Sequence, residues 1–293
     1  MVVNPVSGAV DKKPIIDLAI SVTSQKGHQL RIFETTGKND KENLTAVTKD
    51  YQPNRFLMAG GDGTIKLLAE ILQGEMLPIG ILPAGSANGL AENLDLPDAL
   101  EERLEIALGE HFIHLDVIRI NDEYCLHISD IGLNAALIKN YQEGNIRGKL
   151  GYLIQSIPTL VQSDFPFGFK LEFEDKTLFR KAVLVAVANA RRYGTGSTIN
   201  PNGSYDDGKF EVLVFKEFNI REILKTFREE VQINRDFMEI YQTSRITIEC
   251  EKSIPFQIDG EYRGEVRKVT AEIAPVKIKI AVPEFKATAS LKE

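Results

Sequence analysis

The sequence predicts an α/β plus mostly-β chain. A parallel α/β domain is expected over residues 1–110, with residues 284–293 rejoining it, and an antiparallel, β-sandwich-like domain over 111–283. Three observations carry this prediction. Up to about residue 110, short apolar runs alternate with helical patterns, the βα rhythm of a parallel sheet. From about 111 onward the pattern becomes the period-two alternation of antiparallel strands. In the first part, apolar runs end in polar, glycine-rich segments that lead into helices.

Taken in order, Val2-Val3 is a short opening strand, followed by the turn Asn4-Pro5-Val6-Ser7-Gly8 and a helix over 14–26. Further strands are expected over 28–34, 55–59 and 78–81, with helices over 39–50, 64–73 and 98–108. The second part alternates clearly in His114–Ile120, Lys170–Glu174 and Val276–Ile280. Helical stretches around Lys149–Gln162 and Ile220–Phe227 interrupt it. Tyr152–Ile154 through Leu160-Val161 offers apolar residues for a substrate pocket, although core packing explains them more simply.

Composition narrows the function classes. With 293 residues the chain can bury a substantial core, and 43% hydrophobic against 26% charged residues is the balance of a globular protein. No run approaches the ~20 apolar residues of a membrane span. The start has neither a basic leader nor an apolar signal core, so a cytoplasmic location is expected. A net charge of -7 argues against broad attachment to nucleic acid or to anionic surfaces. Lys12-Lys13, Arg147 with Lys149, Arg191-Arg192 and Arg263 with Arg267-Lys268 are local basic candidates, each read first as a solvated pair. Cys125 and Cys250 lack metal-ligand spacing and are read as reduced thiols without chemistry.

Chemistry concentrates in the polar loops. Gly60-Gly61-Asp62-Gly63-Thr64 follows Phe56-Leu57-Met58-Ala59 and opens a helix, a strand-turn-helix arrangement suited to polyphosphate. Its carboxylate, Asp62, belongs beside phosphates only if a divalent cation intervenes or if it activates a hydroxyl. On this motif alone, a glycine turn with Asp62 as a helix N-cap is equally acceptable. Asn4–Gly8 and Leu82-Pro83-Ala84-Gly85-Ser86-Ala87-Asn88-Gly89-Leu90-Ala91 are further strand-to-helix loops. Loops at the carboxyl ends of parallel strands gather on one edge, where they can share one ligand.

Together, Asn-Pro-Val-Ser-Gly, Gly-Gly-Asp-Gly-Thr and Pro-Ala-Gly-Ser-Ala-Asn resemble the diacylglycerol kinase catalytic-domain superfamily, and more distantly the NAD kinases. The resemblance continues through Gly132-Leu133-Asn134-Ala135, the region from Asn189 to Gly196, Asp206-Asp207-Gly208 and Asp259-Gly260-Glu261. It implies a nucleotide domain and a β-rich lipid-substrate domain with the active site between them, using ATP and Mg²⁺. Asn4, Ser7 and Gly8 would border the nucleotide. Gly60, Gly61, Asp62, Gly63, Thr64, Ile65 and Lys66 would cradle its phosphates, and Gly85, Ser86 and Asn88 would complete the pocket. Thr35 and Thr36 are either nucleotide contacts or caps of the next helix. The catalytic set implied is Glu261, Asp62 and Asp259, with Glu261 as base and Asp62 in the Mg²⁺-water network; some relatives imply the reverse roles. Ser204, Asp207 and Lys209 would hold a structural Mg²⁺.

One departure stands out. Many relatives follow Gly-Gly-Asp-Gly-Thr with a residue and then Asn-Glu, whereas this chain reads Ile65-Lys66-Leu67 and reaches its first acid at Glu70. The expected activity is phosphorylation of a lipid hydroxyl, diacylglycerol first, at a membrane surface contacted peripherally. No nucleic-acid partner is expected, and a homodimer is left open. A non-catalytic nucleotide- or lipid-binding regulator, and a kinase of another lipid such as phosphatidylglycerol or a sphingoid base, or of a soluble metabolite, remain alternatives.

Overall fold

The structure is a computed structural model that describes residues 1–8, 10–86, 88–143, 165–189, 192–193, 197–198, 200, 203–217, 219 and 236–289. The expected helices around 149–162 and 220–227, the apolar stretch 152–161, and Arg147, Lys149 and Arg191 lie outside them. In chain order the elements begin with β1 (Val2–Val3), α1 (Lys13–Gln25), β2 (Phe33–Glu34), α2 (Asp40–Tyr51), β3 (Phe56–Gly60) and α3 (Asp62–Leu72). They continue with β4 (Ile79–Pro83), α4 (Gly89–Asn93), α5 (Leu100–Leu108), β5 (Phe112–Ile120), β6 (Glu123–Cys125), β7 (Ile128–Gly132) and α6 (Leu133–Glu143). Next come β8 (Phe167–Glu172), β9 (Thr177–Ala182), β10 (Leu184–Ala188), β11 (Arg192–Tyr193), β12 (Ser197–Thr198) and β13 (Phe210–Phe215). The last are β14 (Met238–Thr243), β15 (Arg245–Ile258), β16 (Glu261–Ala281) and α7 (Glu284–Ala289). None of the described helices is long and apolar enough to cross a membrane.

The chain divides into two compact units, Met1–Val117 with Pro275–Glu293, and Ile118–Ala274. In the first unit the strands run parallel in the order β2-β1-β3-β4, and the end of β16 adds beside β4 through Ile280↔Ile79. Every residue of β3 is buried, as its unbroken apolar run requires of a parallel strand covered on both faces. Leu57 and Ala59 pack with Ile15 and Ala19 of α1 and Leu104 and Ala107 of α5. By alternation Phe56 and Met58 face the other side. Ile65, Leu68 and Leu72 form the buried stripe of α3, each contributing roughly 1.5–3 kcal/mol by burial.

The second strand is shorter than the predicted 28–34. Its partner β1 supplies only the pairs Val2↔Phe33 and Val3↔Glu34, and the main chain adds single bonds on either side, from Met1 to the Arg31 carbonyl and from Thr35 N–H to the Val3 carbonyl. At the other end of this unit, Lys286 of α7 donates to the Asn93 carbonyl and pairs with Asp95.

The second unit is antiparallel, in the order β14-β13-β10-β7-β15-β16. Strand β15 pairs along one edge with β16; along the other, Thr247–Cys250 meet β8 and Phe256–Ile258 meet β7. Its register slips between Glu249 and Ile254, a bulge that bends the strand so it can serve both neighbours. Phe210, Val212, Phe169, Leu171, Ile248 and Phe256 share the resulting core. On β9, Arg180 reaches Glu239 and Tyr241 of β14, which links two strand edges by side chains. Neither cysteine forms a disulfide; Cys125 Sγ donates to Asp259 at 3.4 Å, and burial pushes the Cys250 thiol up to about 12, which leaves it a poor nucleophile.

Candidate functional site

The three polar loops of the first unit meet. The main chain ties them in sequence: Asn4 N–H donates to the Ala59 carbonyl at 2.9 Å, and Ala84 N–H to the Gly60 carbonyl at 2.8 Å. Ser7 Oγ donates to the Ala84 and Asn4 carbonyls, so the first loop is fastened to the third. Between the second and third loops the chains touch at backbone level. A Cβ on Gly85 would lie 2.5 Å from Gly61 Cα, so no side chain fits there.

Asp62 provides the strongest link. Its Oδ2 accepts from Gly89 N–H at 2.8 Å and its Oδ1 from Leu90 N–H at 3.2 Å, so it serves the first amides of α4. The carboxylate therefore does not cap its own helix; Gly61 is the N-cap of α3 and forms no side-chain cap bond. Asn88, in the left-handed region at φ 51°, folds its amide back on Gly85, accepting from its N–H at 2.8 Å and donating to its carbonyl at 3.0 Å. With Asn88 so occupied, the start of α4 falls to Asp62.

The site also holds unspent polar capacity. The start of the 11-residue α3 carries the partial positive charge of the helix, and its Thr64 N–H turns back to the Gly61 carbonyl at 2.9 Å. Thr64 Oγ1 is buried without a hydrogen-bond partner among the described residues. Ile65 is 1% exposed, so only its backbone is available to a ligand. Gly63 and Ser86 are exposed, and Lys66 is half-buried. Gly8, at φ 57°, comes so near Ala84 and Gly85 that an added Cβ would lie 2.9 Å from both.

Lys12 belongs to this cluster and not to a solvated pair. Its Nζ donates to the Ser7 carbonyl at 2.5 Å and the Val10 carbonyl at 2.7 Å, gathering the first loop around a buried ammonium. Burial holds its pKa below the usual lysine range, against the pull of Asp11. Lys13 is exposed and pairs with Asp17, as a surface lysine does. One sequence carries no signal that separates these adjacent lysines.

Thr35 and Thr36 divide. Thr35 is buried, and its N–H donates to the Val3 carbonyl. Thr36 Oγ1 donates to the Lys38 carbonyl and to Asp40 of α2, holding the loop before that helix.

The remaining predicted residues lie in the second unit. Asp259 and Gly260 form a two-residue turn with φ of 49° and 82° between β15 and β16. Both central residues are left-handed, as a hairpin of this type requires. The Asp259 carboxylate accepts from the N–H groups of Leu126, His127 and Ile128 at 3.0–3.1 Å, so it clamps the turn to the β6–β7 connection. Glu261 is exposed and pairs with Arg263 at 2.6 Å; Arg263 Nε in turn reaches Glu123 at 3.0 Å. Arg263 is thus held between two acids.

In the loop before β13, Ser204 Oγ donates to Asp206 at 2.7 Å. Asp207 accepts from Lys209 N–H and from Gln242 Nε2, each at 3.0 Å. Burial pushes the neighbouring Glu211 carboxyl up, against hydrogen bonds from Asn200 and Gln242 and with help from the Asp207 charge. Among the described residues, no three acid, histidine or cysteine side chains gather in a metal-ligand cluster.

Comparison with known proteins matches residues 1–120 to the Diacylglycerol kinase catalytic domain and residues 129–282 to the YegS C-terminal NAD kinase beta sandwich-like domain. The chain is 28% identical to a Chromohalobacter salexigens protein named "Probable lipid kinase YegS-like", over 97% of this chain and 94% of that one. A crystal structure of a diacylglycerol kinase from Bacillus anthracis str. Sterne superposes with a TM-score of 0.72 at 19% identity, covering 96% of this chain and 95% of that one. An NAD kinase from Archaeoglobus fulgidus in complex with ATP gives 0.56 at 14% identity, covering 99% and 96%. At such identities the two structures establish likeness of fold.

Proposed function

We propose, on the premise that this chain belongs to the diacylglycerol kinase catalytic-domain family and is a kinase, that it transfers the γ-phosphoryl group of ATP to a lipid hydroxyl, with Mg²⁺ as the metal and diacylglycerol as the first acceptor. The observation that carries this reading is the convergence of three strand-end loops through Asp62 on the α4 amides. Such a site binds polyphosphate by main-chain amides and the positive end of α3. Gly61 and Gly85 let the backbone come close, and the buried Thr64 hydroxyl supplies a further polar group.

Asp62 is assigned to the Mg²⁺-water network and Glu261 to accepting the proton of the lipid hydroxyl. Its two oxygens accept from the Gly89 and Leu90 N–H groups, which holds the carboxylate where the loops meet, a placement that suits that role. Mg²⁺, when bound, neutralises phosphate charge. A structural Mg²⁺ is assigned to the exposed Asp207 carboxylate with the backbone carbonyls of Ser204 and Lys209. The donors are hard oxygens, and one carboxylate completed by carbonyls and water is a shell this ion accepts. The lipid acceptor is taken from the name of the Chromohalobacter relative, and contact with the membrane surface is taken as peripheral, from a cytoplasmic location.

The test is Mg²⁺-dependent transfer of labelled γ-phosphate from ATP to diacylglycerol, phosphatidylglycerol, a sphingoid base and ceramide in mixed micelles. The expected result is labelled phosphatidic acid from the wild type and loss of product in Asp62→Ala. No labelled lipid from a folded wild type that binds ATP would refute the reading.

A further inference from the structure

Behind the Asp259-Gly260 turn, the second unit buries a polar network that the turn itself does not need. Asp130, in the middle of β7, lies directly across from Gln257 of β15. Both are 1% exposed. Asp130 Oδ2 accepts from Gln257 Nε2 and from Asn134 Nδ2, both at 2.6 Å. Gln257 Oε1 accepts from Gly260 N–H at 2.8 Å, and Ser129 Oγ donates to the Gln257 carbonyl at 2.6 Å. An Asp-Gly hairpin closes without such support. A carboxylate in the middle of a core strand is costly to desolvate, and well-packed apolar residues often serve stability as well or better.

What the carboxylate supplies is direction. Gln257 has a donor end and an acceptor end, and either way round it would fill the same space. Asp130 Oδ2 accepts from the Asn134 amide and also from the Gln257 NH₂, which it draws toward itself, turning Oε1 toward the Gly260 amide. That bond fixes the Asp259–Gly260 peptide, the unit immediately before the one that joins Gly260 to Glu261. We propose that Asp130 is a positioning residue that acts through Gln257 and Gly260 to aim Glu261. The inference rests on the reading of Glu261 as the group that accepts the hydroxyl proton.

The test is a double-mutant cycle of Asp130→Asn with Glu261→Gln, using ATP, Mg²⁺ and dioctanoylglycerol in mixed micelles. Asp130→Asn keeps the volume, and the amide it introduces can hydrogen-bond to Gln257 either way round. In the wild-type background this substitution is expected to lower kcat about tenfold or more, the scale of a misplaced catalytic group, with KM for ATP unchanged. In the Glu261→Gln background it is expected to leave the residual rate unchanged. An equal loss in both backgrounds, or none in the wild type, would overturn the proposal. Full activity of Glu261→Gln alone would instead remove the reading of Glu261, and this inference with it.

A measurement independent of turnover is hydrogen exchange at the Gly260 amide. It should quicken about tenfold in Asp130→Asn while the thermal transition is retained. Unchanged exchange would contradict the proposal. If Asp130→Asn does not fold, Gln257→Leu, which deletes the amide itself, enters the same cycle with the same expected outcomes.

Discussion

In the first unit, Asp62 and the loops it joins work through the main chain: carbonyls and amides at strand ends, two glycines in contact, and one carboxylate on two helix amides. In the second, Asp259 and Glu261 sit on a turn secured by side chains from β7, β15 and α6. The difference follows from the tasks assigned to them. Polyphosphate is bound by many amides at once, so the loops must bring backbone close, and glycine is the residue that permits it. A proton acceptor is a single carboxylate that must point one way, and side-chain hydrogen bonds set direction.

This contrast can be broken at each end. The largest expected effect is on turnover: Glu261→Ala should lower kcat by about 10²–10⁴-fold, the range for a general base, with KM for ATP unchanged. A rise in KM for ATP of the same size would assign Glu261 to the nucleotide. Next comes Asp259→Ala, which leaves three backbone N–H groups without their acceptor. At about 1 kcal/mol each, urea unfolding should show a loss of about 3 kcal/mol. A negligible loss would mean that the turn stands without its clamp.

A comparable test in the first unit is Lys277→Ala. Asp116 is fully buried and pairs with Lys277 at 2.8 Å, while the lysine is 42% exposed. Removing it should cost about 2 kcal/mol by urea unfolding, below the figure for a fully buried pair because water reaches the cation. The smallest effect concerns Glu239. Burial works against its charge, yet hydrogen bonds from Arg180, Tyr241 and Lys216 bring its pKa from 4.5 down to about 2. Its contribution is therefore complete above pH 4.5 and is lost as the pH falls to about 2. Thermal unfolding should show Glu239→Gln less stable than wild type by about 1–2 kcal/mol at neutral pH after screening, with the gap closing on acidification. A gap that does not change with pH would assign the loss to packing.

The fold class was readable because its signals are local. Phe56–Ala59 and Ile79–Ile81 are apolar runs as buried parallel strands must be, and Lys170–Glu172 alternates as an antiparallel strand does, whereas Val276–Ile280, read the same way, lies in the first unit, where Ile280 pairs in parallel with Ile79. Strand ends were less readable. The predicted strand 28–34 shrank to two residues because its extent is set by β1 and not by its own composition. The loops that meet were visible as motifs, but the jobs of their side chains were not. Asp62 serves amides 27 and 28 positions away, and Asp259 serves amides more than 130 positions away. Lys12 and Lys13 look alike in sequence, yet one lies inside a loop and the other in solvent. Such partnerships are made by the fold, so local pattern cannot announce them.

The division of labour is tested most directly by titrating Mg²⁺ and ATP into wild type, Asp62→Ala and Glu261→Ala and following the heat of binding. The account predicts at least about tenfold weaker ATP binding in Asp62→Ala, through the loss of about 1.4 kcal/mol or more from the joined loops, and wild-type affinity in Glu261→Ala. Equal affinity in all three proteins, or the larger loss in Glu261→Ala, would contradict it.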